Sequence, residues 1–421
     1  MVFSPCKHHL RHIMCNPDKI YENVINDIDA IISETIDDNE KQYVLVIGMS
    51  SVSSVAYVYI NEDNRYWELP GGAIETGELV NDAAIREFFE ETGLQLVDAH
   101  EVLSIYNISH TTGVFDSCVA VVVGIVKDEI PAMVNDIEIS MCKFYDSVPE
   151  NTTFENEYLR DVISIAINNY SILQNHTMWN EAGNSYEGMT RISENEVHYG
   201  PLLPGESELQ LLPSLSGIDV LELGCGAGHN LAALKKAGIR NGTGIDFCKD
   251  QIELAKKMTG DNLHFILGDF TKSSILYVPE QFDLIISVFA FSFVPDLYKM
   301  IKLISYALKK GGCVIISTDH PLRKLTSSEH HQNCKGVSNR VRYWNIPNHK
   351  DVPYIHYLHS KEEFIDAFTK VGLSVETILE PKPLPCDRIY EAPYYSLYYE
   401  NRYQELYEKP YTIIYKAKKN S

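Results

Sequence analysis

The spacing of glycine, acidic and apolar residues in one short segment constrains this chain of 421 residues more than any other feature. Residues 72–94 read G-x5-E-x7-R-E-U-x-E-E-x-G-U, where U is a bulky apolar residue. The composition of residues 82–91 predicts a helix, on which Glu87, Glu90 and Glu91 would share one face. Three neighbouring carboxylates repel one another, and Mg2+ or Mn2+ removes that cost because these ions prefer oxygen ligands. The spacing therefore predicts a divalent metal site.

The residues on either side of this helix support the same prediction. A segment that ends in Gly71 and Gly72 precedes it, and residues without a side chain let backbone carbonyls approach a metal. Arg86 is placed to brace a ligand carboxylate, and Gly93 stands where a left-handed residue ends a helix. An isolated Glu-x-x-Glu-Glu would indicate only a solvated helix face, and these flanking residues argue against that alternative.

The segment as a whole resembles the Nudix box, the signature of hydrolases that cleave a nucleoside diphosphate linked to some other group. The resemblance implies an α/β/α sandwich around a mixed sheet over residues 43–150. It also implies that the three glutamates and the backbone of Gly71 and Gly72 hold the metal. Nudix domains often supply one more acidic residue downstream. Glu138 is the first candidate for that extra ligand or base and Asp136 the second, and a solvated acidic turn is the alternative.

The C-terminal half carries the pattern of a second site. A short apolar run leads into a glycine-rich turn, and a helical segment follows. The turn reads E-x-G-x-G-x-G, with its fixed positions at Glu222, Gly224, Gly226 and Gly228. It resembles motif I of the class I S-adenosylmethionine (SAM) methyltransferases, although dinucleotide-binding folds use similar turns.

Later segments separate these two alternatives. The residues expected to contact the cofactor occur in the same sequence order as in class I methyltransferases. They are Asp246, Asp269, Phe270 and Ser287. The resemblance places Asp246 on both ribose hydroxyls and Asp269 beside the adenine, and residues 308–317 resemble the fifth strand. A dinucleotide oxidoreductase would need a second glycine-rich fingerprint or a hydride-transfer site, and the sequence shows neither. The resemblance therefore implies a Rossmann-like domain with a seven-stranded sheet, and SAM as its cofactor.

Aromatic and histidine residues lie on either side of these motifs. Trp179 and Tyr186 belong to a segment that resembles the N-terminal helix covering SAM in small-molecule methyltransferases, where a ring can face the sulfonium. Core packing is the alternative for each ring. Beyond the fifth strand, His320 is the best placed of three histidines to take a proton from an acceptor, ahead of His356 and His359. A structural role is the alternative for each histidine.

The sequence favours a small-molecule acceptor over nucleic acid. The fourth strand leads into Ser-Val-Phe-Ala-Phe-Ser-Phe, which lacks the Asn/Asp-Pro-Pro-aromatic signature of methylases that act on exocyclic amines of nucleic acids. The formal net charge of −22 argues against a broad nucleic-acid surface and against electrostatic membrane binding. The chain has no apolar run as long as a membrane span, and nine dispersed cysteines without a secretory signal predict reduced thiols and a cytoplasmic protein.

Composition and patterning divide the chain into four expected segments. These are an N-terminal helical segment (1–42), the Nudix domain (43–150), a linker helix (151–175) and the methyltransferase domain (176–421). The first segment contains Cys6, His8, His12 and Cys15, whose spacing is compatible with a zinc site or with an incidental cluster. The sequence gives no indication of the oligomeric state.

Two complete signatures in one chain predict a bifunctional enzyme. One activity is hydrolysis of a nucleoside diphosphate-linked or other diphosphate small molecule, and the other is SAM-dependent methylation of a metabolite, in a single pathway. Two alternatives are open. The Nudix half could sense a nucleotide without hydrolysing it, which the complete glutamate set argues against. The methyltransferase could modify nucleotides or RNA, which the acidic charge argues against.

Overall fold

The structure is a computed structural model, which describes residues 41–50, 54–60, 66–108, 115–127, 139–152, 156–260, 263–322, 340–344 and 352–420. The chain divides into two compact units, Met1–Leu173 and Gln174–Ser421. The histidine and cysteine cluster predicted near the N-terminus lies outside the described residues, and so do Asp136 and Glu138. None of the helices in the described ranges combines the length and hydropathy that a bilayer span requires.

The first unit is built on a mixed sheet of seven strands. In chain order these are β1 (Tyr43–Met49), β2 (Val55–Ile60), β3 (Tyr66–Glu68), β4 (Gly71–Ala73), β5 (Gln95–Ile108), β6 (Phe115–Lys127) and β7 (Ile139–Tyr145). The sheet order is β3-β2-β1-β6-β5, with β4 also paired to β1 and β7 to β2. β1 and β6 run parallel, and the other pairs are antiparallel. The predicted α/β fold with a mixed sheet is confirmed.

The helix predicted from the spacing of residues 72–94, α1 (Val80–Thr92), packs one face on this sheet. Phe88 is fully buried in a cluster with the side chains of β1 and β6, and Gly48 of β1 leaves the space that its ring occupies. Ile85 and Phe89 point the other way and are 40% and 55% exposed, because helical periodicity separates them from the buried stripe. Gly93 ends the helix with φ 68°, as predicted, and its N–H donates to the carbonyl of Phe89.

A long helix, α2 (Asn156–Met189), follows the sheet of the first unit. Its first turns lie against β5, where the Asn169 side chain donates to the Val102 carbonyl and the Tyr170 hydroxyl donates to the Asp98 carbonyl. The division between the two units falls inside this helix, between Leu173 and Gln174.

The second unit contains a seven-stranded sheet with the order β11-β10-β9-β12-β13-β18-β16. Its strands are β9 (Asp219–Leu223), β10 (Asn241–Asp246), β11 (His264–Leu267), β12 (Phe282–Val288), β13 (Leu308–Asp319), β16 (Leu373–Leu379) and β18 (Thr412–Lys419). The first five strands of this order run parallel, and β18 is antiparallel to both of its neighbours. The strand order reverses between β9 and β12, where parallel α/β sheets bind their ligands at the carboxyl ends of the strands. The predicted Rossmann-like fold is confirmed.

Helices and short strands complete the second unit. The helices are α3 (Glu206–Leu209), α4 (His229–Lys236), α5 (Lys249–Thr259), α6 (Leu297–Ala307), α7 (Lys361–Lys370), α8 (Leu397–Glu400) and α9 (Tyr403–Glu408). Two small antiparallel pairs stand apart from the main sheet, β8 (Thr190–Ile192) with β17 (Tyr394–Ser396), and β14 (Arg340–Trp344) with β15 (Val352–His356). One core cluster packs α6 and α7 on the sheet, and a second packs α4 and α5.

The packing of α1 gives a first prediction. Phe88→Ala removes a fully buried ring and should destabilise the first unit by about 3–5 kcal/mol. Phe89→Ala alters the neighbouring exposed ring and should change stability by about 0.5 kcal/mol or less. Urea unfolding of the full-length variants, followed by circular dichroism, measures both. Equal destabilisation by the two substitutions would contradict this packing.

Candidate functional site

The first candidate site lies where α1 meets the two glycines of strand β4, Gly71 and Gly72. The carboxylate of Glu87 lies directly against Gly72, so that a Cβ atom built on Gly72 would stand 2.2 Å from Glu87 Cδ. Any residue larger than glycine would therefore displace this carboxylate. The sequence pattern, which requires a glycine here, reflects this close approach of backbone and carboxylate.

Arg86 holds the acidic residues of this site together. Its guanidinium donates to Glu78 at 2.7 and 2.8 Å, to Glu87 Oε1 at 2.7 Å and to the Ala73 carbonyl at 3.0 Å. It also lies 3.6 Å from Glu90 Oε2. Hydrogen bonds from Arg86 lower the pKa of Glu78 below its ordinary value. The predicted bracing of a carboxylate by Arg86 matches the Glu87 contact, whereas the partnership with Glu78 was missed. Its signal was the fixed glutamate at that position of the pattern.

The other two glutamates of the box differ in environment. Glu91 is buried, and its Oε2 accepts a hydrogen bond from the Gly71 N–H at 3.1 Å, which ties the helix to the turn. The Glu90 side chain is 58% exposed. Among the described residues, no three His, Cys, Asp or Glu side chains are gathered as a metal site requires. The donor set has the hard-oxygen chemistry that Mg2+ prefers, but Arg86 pairs with Glu87 and lies beside Glu90. Metal binding here therefore stays a prediction.

The second candidate site is the glycine turn after β9. Gly224, Gly226 and Gly228 all have positive φ angles, of 71°, 50° and 78°. A Cβ atom on Gly224 would stand 2.4 Å from the Cβ of Ala290, which follows β12 closely, so the turn lies against the switch point of the sheet. The N–H groups of Gly224 and Cys225 both donate to the Ile245 carbonyl, which ties the turn to β10.

Asp246, at the end of β10, is hydrogen-bonded to this turn. Asp246 accepts hydrogen bonds from the Gly226 N–H and the Cys248 N–H, both at 2.9 Å. Burial raises the pKa of Asp246 above its ordinary value. The structure thus brings Asp246 to the glycine turn, as the motif predicts. Contact with ribose stays a prediction.

The remaining predicted cofactor residues fall into two groups. Asp269 is partly exposed beyond β11, and its Oδ1 accepts from both the N–H and the hydroxyl of Thr271. Phe270 is 3% exposed and packs in the core, and Ser287 is fully buried with its hydroxyl donating to the Leu223 carbonyl at 2.8 Å. The side chains of Phe270 and Ser287 therefore serve packing, and the structure gives their predicted cofactor contacts no support.

Glu222 of the turn motif is deeply buried in β9. The Asn230 side chain donates to its Oε1 at 3.2 Å, and its Oε2 has no hydrogen-bond partner among the described residues. Burial, with the Asp246 charge as a smaller contribution, raises the pKa of Glu222 to about 8.

Part of α2 lies beside the ends of β10 and β12. Trp179 meets the Phe293 ring edge-on at 5.9 Å, and its carbonyl accepts from Cys248 Sγ at 3.4 Å. His176, which sequence analysis missed, stacks on Phe247 with ring centroids 4.2 Å apart. The helical spacing of His176 and Trp179 was the available signal. The side chain of Tyr186 lies outside the described residues.

The three histidines considered as bases have different partners. His320 is 2% exposed, its Nδ1 accepts from the Leu322 N–H at 3.1 Å, and burial lowers its pKa. His359 Nε2 lies 2.7 Å from the Val294 carbonyl, to which it donates. His356 Nε2 lies 2.8 Å from Oδ2 of Asp319. The role predicted for His320 stays a prediction, and its occupied Nδ1 favours a structural role.

Comparison with known proteins gives two family matches. A family model described as a NUDIX domain matches residues 35–157, and one described as a methyltransferase domain matches residues 214–369. Over 253 residues the chain is 22% identical to an uncharacterized protein of Haemophilus influenzae, a match that covers 56% of this chain and 94% of that protein.

Two curated methyltransferases and a solved structure are similar to parts of the second half. A malonyl-[acyl-carrier protein] O-methyltransferase of Priestia megaterium is 39% identical over 24% of this chain and 36% of its own length. A ubiquinone biosynthesis O-methyltransferase of Hydrogenovibrio crunogenus is 27% identical over 36% of this chain and 59% of its own length. The chain thus spans less than two thirds of either enzyme. A crystal structure of an S-adenosylmethionine dependent methyltransferase from Mesorhizobium loti is 17% identical, with a TM-score of 0.38, and covers 50% of this chain and 94% of that one.

The burial of Glu222 gives a prediction about pH. The pKa of this group is raised from 4.5 to about 8 in the folded protein, so its contribution to stability is fully present below about pH 4.5. That contribution is lost as the pH rises through about 8. Glu222→Gln cannot ionise. As the pH rises between these values, the folding equilibrium constant of the variant relative to that of the wild type should increase by up to about tenfold per pH unit.

Urea unfolding of full-length protein at several pH values measures this difference. Glu280→Gln, which changes an exposed carboxylate, is the matched control and should follow the wild type. Parallel stability curves for the wild type and Glu222→Gln would contradict a buried, protonated Glu222.

Proposed function

We propose two catalytic activities for this chain, which carries a Nudix domain followed by a class I SAM-dependent methyltransferase domain. The first is hydrolysis of a diphosphate-linked small molecule with Mg2+ or Mn2+, and the second is transfer of a methyl group from SAM to a small molecule. The observation that carries the first is the contact of the Glu87 and Glu91 carboxylates with the Gly71-Gly72 turn. The two steps are proposed to serve one pathway, in the cytoplasm.

The hydrolase site uses its own residues to position carboxylates. Glu91 fixes the turn through the Gly71 N–H, and Arg86 orients Glu87 from the other side. A metal held by Glu87, Glu90 and Glu91 would activate a water molecule and stabilise charge on the leaving phosphate. Release of Arg86 from Glu87 and Glu90 would free both carboxylates for that metal.

The methyltransferase site is proposed to seat SAM on the turn that Asp246 fastens. The turn of Gly224, Gly226 and Gly228 stands at the carboxyl ends of the strands, where parallel sheets bind ligands, and Asp246 is bonded to it. Methyl transfer is an in-line displacement, so the protein contributes mainly alignment of the acceptor, the methyl group and the sulfur. Trp179 and Phe293 supply apolar surface near the same edge of the sheet.

One observation favours a second candidate function for the first half. Arg86 pairs with Glu87 and lies beside Glu90, and the described residues do not form a ready metal site, which suits a module that binds a nucleotide without hydrolysing it. The complete glutamate set still favours hydrolysis, because a binding module has no need of all three. A nucleic-acid substrate is disfavoured by the net charge of −22.

The hydrolase proposal predicts a specific loss in Glu91→Gln. The glutamine oxygen can still accept from the Gly71 N–H, so the fold is kept while the ligand charge is lost. Hydrolysis of a panel of nucleoside diphosphate derivatives with Mg2+, followed by mass spectrometry, should fall on the order of 100-fold, which corresponds to several kcal/mol of charge stabilisation.

Two controls accompany this measurement. Glu75→Gln changes an exposed carboxylate in the loop before α1 and should hydrolyse like the wild type. Glu91→Gln should bind SAM with unchanged affinity by calorimetry. Binding of a nucleotide without cleavage by the wild type would favour the sensing module over the hydrolase.

A further inference from the structure

Glu222 is a buried carboxyl group in β9, just before the glycine turn of the second unit. It is 3% exposed, and the Asn230 side chain donates to its Oε1 at 3.2 Å. Its Oε2 has no hydrogen-bond partner in the part of the chain that the structure describes. Its register partners on the neighbouring strands, Gly244 and Ile286, carry no charge. A buried carboxylate needs hydrogen bonds or an opposite charge to replace lost water, so an ionised Glu222 lacks part of that compensation.

On the side of β10, Glu222 faces a second buried acid. Burial, and then the charge of Asp246, raise the pKa of Glu222 to about 8. The same two acids act on the thiol of Cys225 in the turn, whose pKa is raised by burial and then by their charges. Asp246 accepts from the N–H groups of Gly226 and Cys248. Glu222 is therefore the member of this pair of acids that keeps its proton at neutral pH.

On the side of α4, the neighbours of Glu222 are hydrogen-bond donors. The Asn230 side chain and the Leu231 N–H both lower the pKa of Glu222, by less than burial raises it. Asn230 also accepts from the His198 N–H at 2.9 Å, which brings the segment before β9 to the same place. Burial, and then the charge of His229, lower the pKa of His198 to about 3, so this ring is neutral at neutral pH. No positive charge appears among the described groups that act on the pKa of Glu222.

The proposed cofactor is a cation that the turn would bring close to this carboxyl group. The Cα atoms of Glu222 and Gly224 are two residues apart along the chain, hence at most about 7 Å. The sulfonium of SAM carries a positive charge, whereas the sulfur of S-adenosylhomocysteine is a neutral thioether. In a buried site a charge acts over such distances without contact. For an effective dielectric constant of about 20 and a separation of about 10 Å, it changes a binding constant on the order of tenfold.

We propose that Glu222 distinguishes SAM from S-adenosylhomocysteine by charge, because it holds a proton in the free protein and releases that proton to solvent when SAM binds. This inference rests on the proposed methyltransferase function. The sulfonium compensates a second carboxylate beside Asp246, so ionised Glu222 attracts SAM. When the methyl group leaves, the electron pair of the carbon–sulfur bond stays on sulfur and the positive charge is lost. Glu222 then takes a proton back from solvent, and the product lacks the attraction that held SAM.

The test compares both ligands over a range of pH in the full-length protein. Calorimetry measures the affinity of the wild type and of Glu222→Gln for SAM and for S-adenosylhomocysteine between pH 6 and pH 9. The ratio of the SAM affinities, wild type over variant, should rise from about 1 to about tenfold. Titration of the ligand's own amino group cancels in this ratio. For S-adenosylhomocysteine the ratio should stay within about twofold. A SAM ratio that is constant with pH, or an equal rise for both ligands, would overturn the proposal.

Proton release gives an independent readout that a merely structural role for Glu222 would not change. Repeating the SAM titration in buffers of different ionisation enthalpy counts the protons released. At pH 7.5 the wild type should release about half a proton more than Glu222→Gln, the value for a tenfold coupling centred on that pH. Glu280→Gln changes an exposed carboxylate and should behave as the wild type. Equal proton release by the wild type and Glu222→Gln contradicts the proposal.

Two outcomes separate this inference from the proposed function. A wild type that binds neither ligand overturns the methyltransferase itself and this inference with it. A wild type that binds both ligands, with no difference in pH dependence from Glu222→Gln, overturns this inference alone. Carbon-13 NMR of the glutamate carboxyls in the wild type gives the same decision if the variant fails to fold. A carboxyl that titrates near pH 8 and shifts to lower pH with SAM, but not with S-adenosylhomocysteine, supports the proposal, and the absence of such a carboxyl overturns it.

Discussion

The first site depends on one constraint, which is that a carboxylate lies directly against the backbone of a glycine. Glu87 occupies the volume that a Cβ atom of Gly72 would need, and Glu91 is tied to the neighbouring Gly71 N–H. The second site uses the same device, since Gly224 packs on Ala290 at a distance that no side chain would allow. In both units glycine lets another group pack directly on the backbone, a carboxylate in the first unit and a methyl group in the second.

The buried acids of the two units are stabilised in two different ways. Glu91 and Asp246 accept hydrogen bonds from backbone N–H groups. Glu222 accepts from the Asn230 amide, and burial raises the pKa of its carboxyl to about 8. Asp319 is held by side chains instead, and that difference leaves a histidine oriented at the carboxyl ends of the strands. The hydrogen bonds to Glu91 and Asp246 hold backbone segments in place, and the hydrogen bond to Asp319 holds the His356 ring.

Local spacing predicted much of this structure, and tertiary pairing explains what it missed. The helix α1 follows from residue spacing that is local in sequence, and the Rossmann-like sheet was implied by the resemblance to class I methyltransferases. The Asp319–His356 pair joins residues 37 positions apart, and no local pattern indicates it. Phe270 and Ser287 occupy motif positions, yet their side chains face the core. A motif identifies a strand end more reliably than it identifies which side chain there reaches a ligand.

The most direct test of the account is calorimetric titration of full-length wild type and Gly72→Ala with MnCl2 and then with SAM. The account predicts that the wild type binds both. In Gly72→Ala the new Cβ atom displaces Glu87, so Mn2+ affinity should fall by about 10-fold to 100-fold while SAM affinity is unchanged. Equal Mn2+ affinity in the two proteins, or no Mn2+ binding by the wild type, would contradict a metal site built on this glycine.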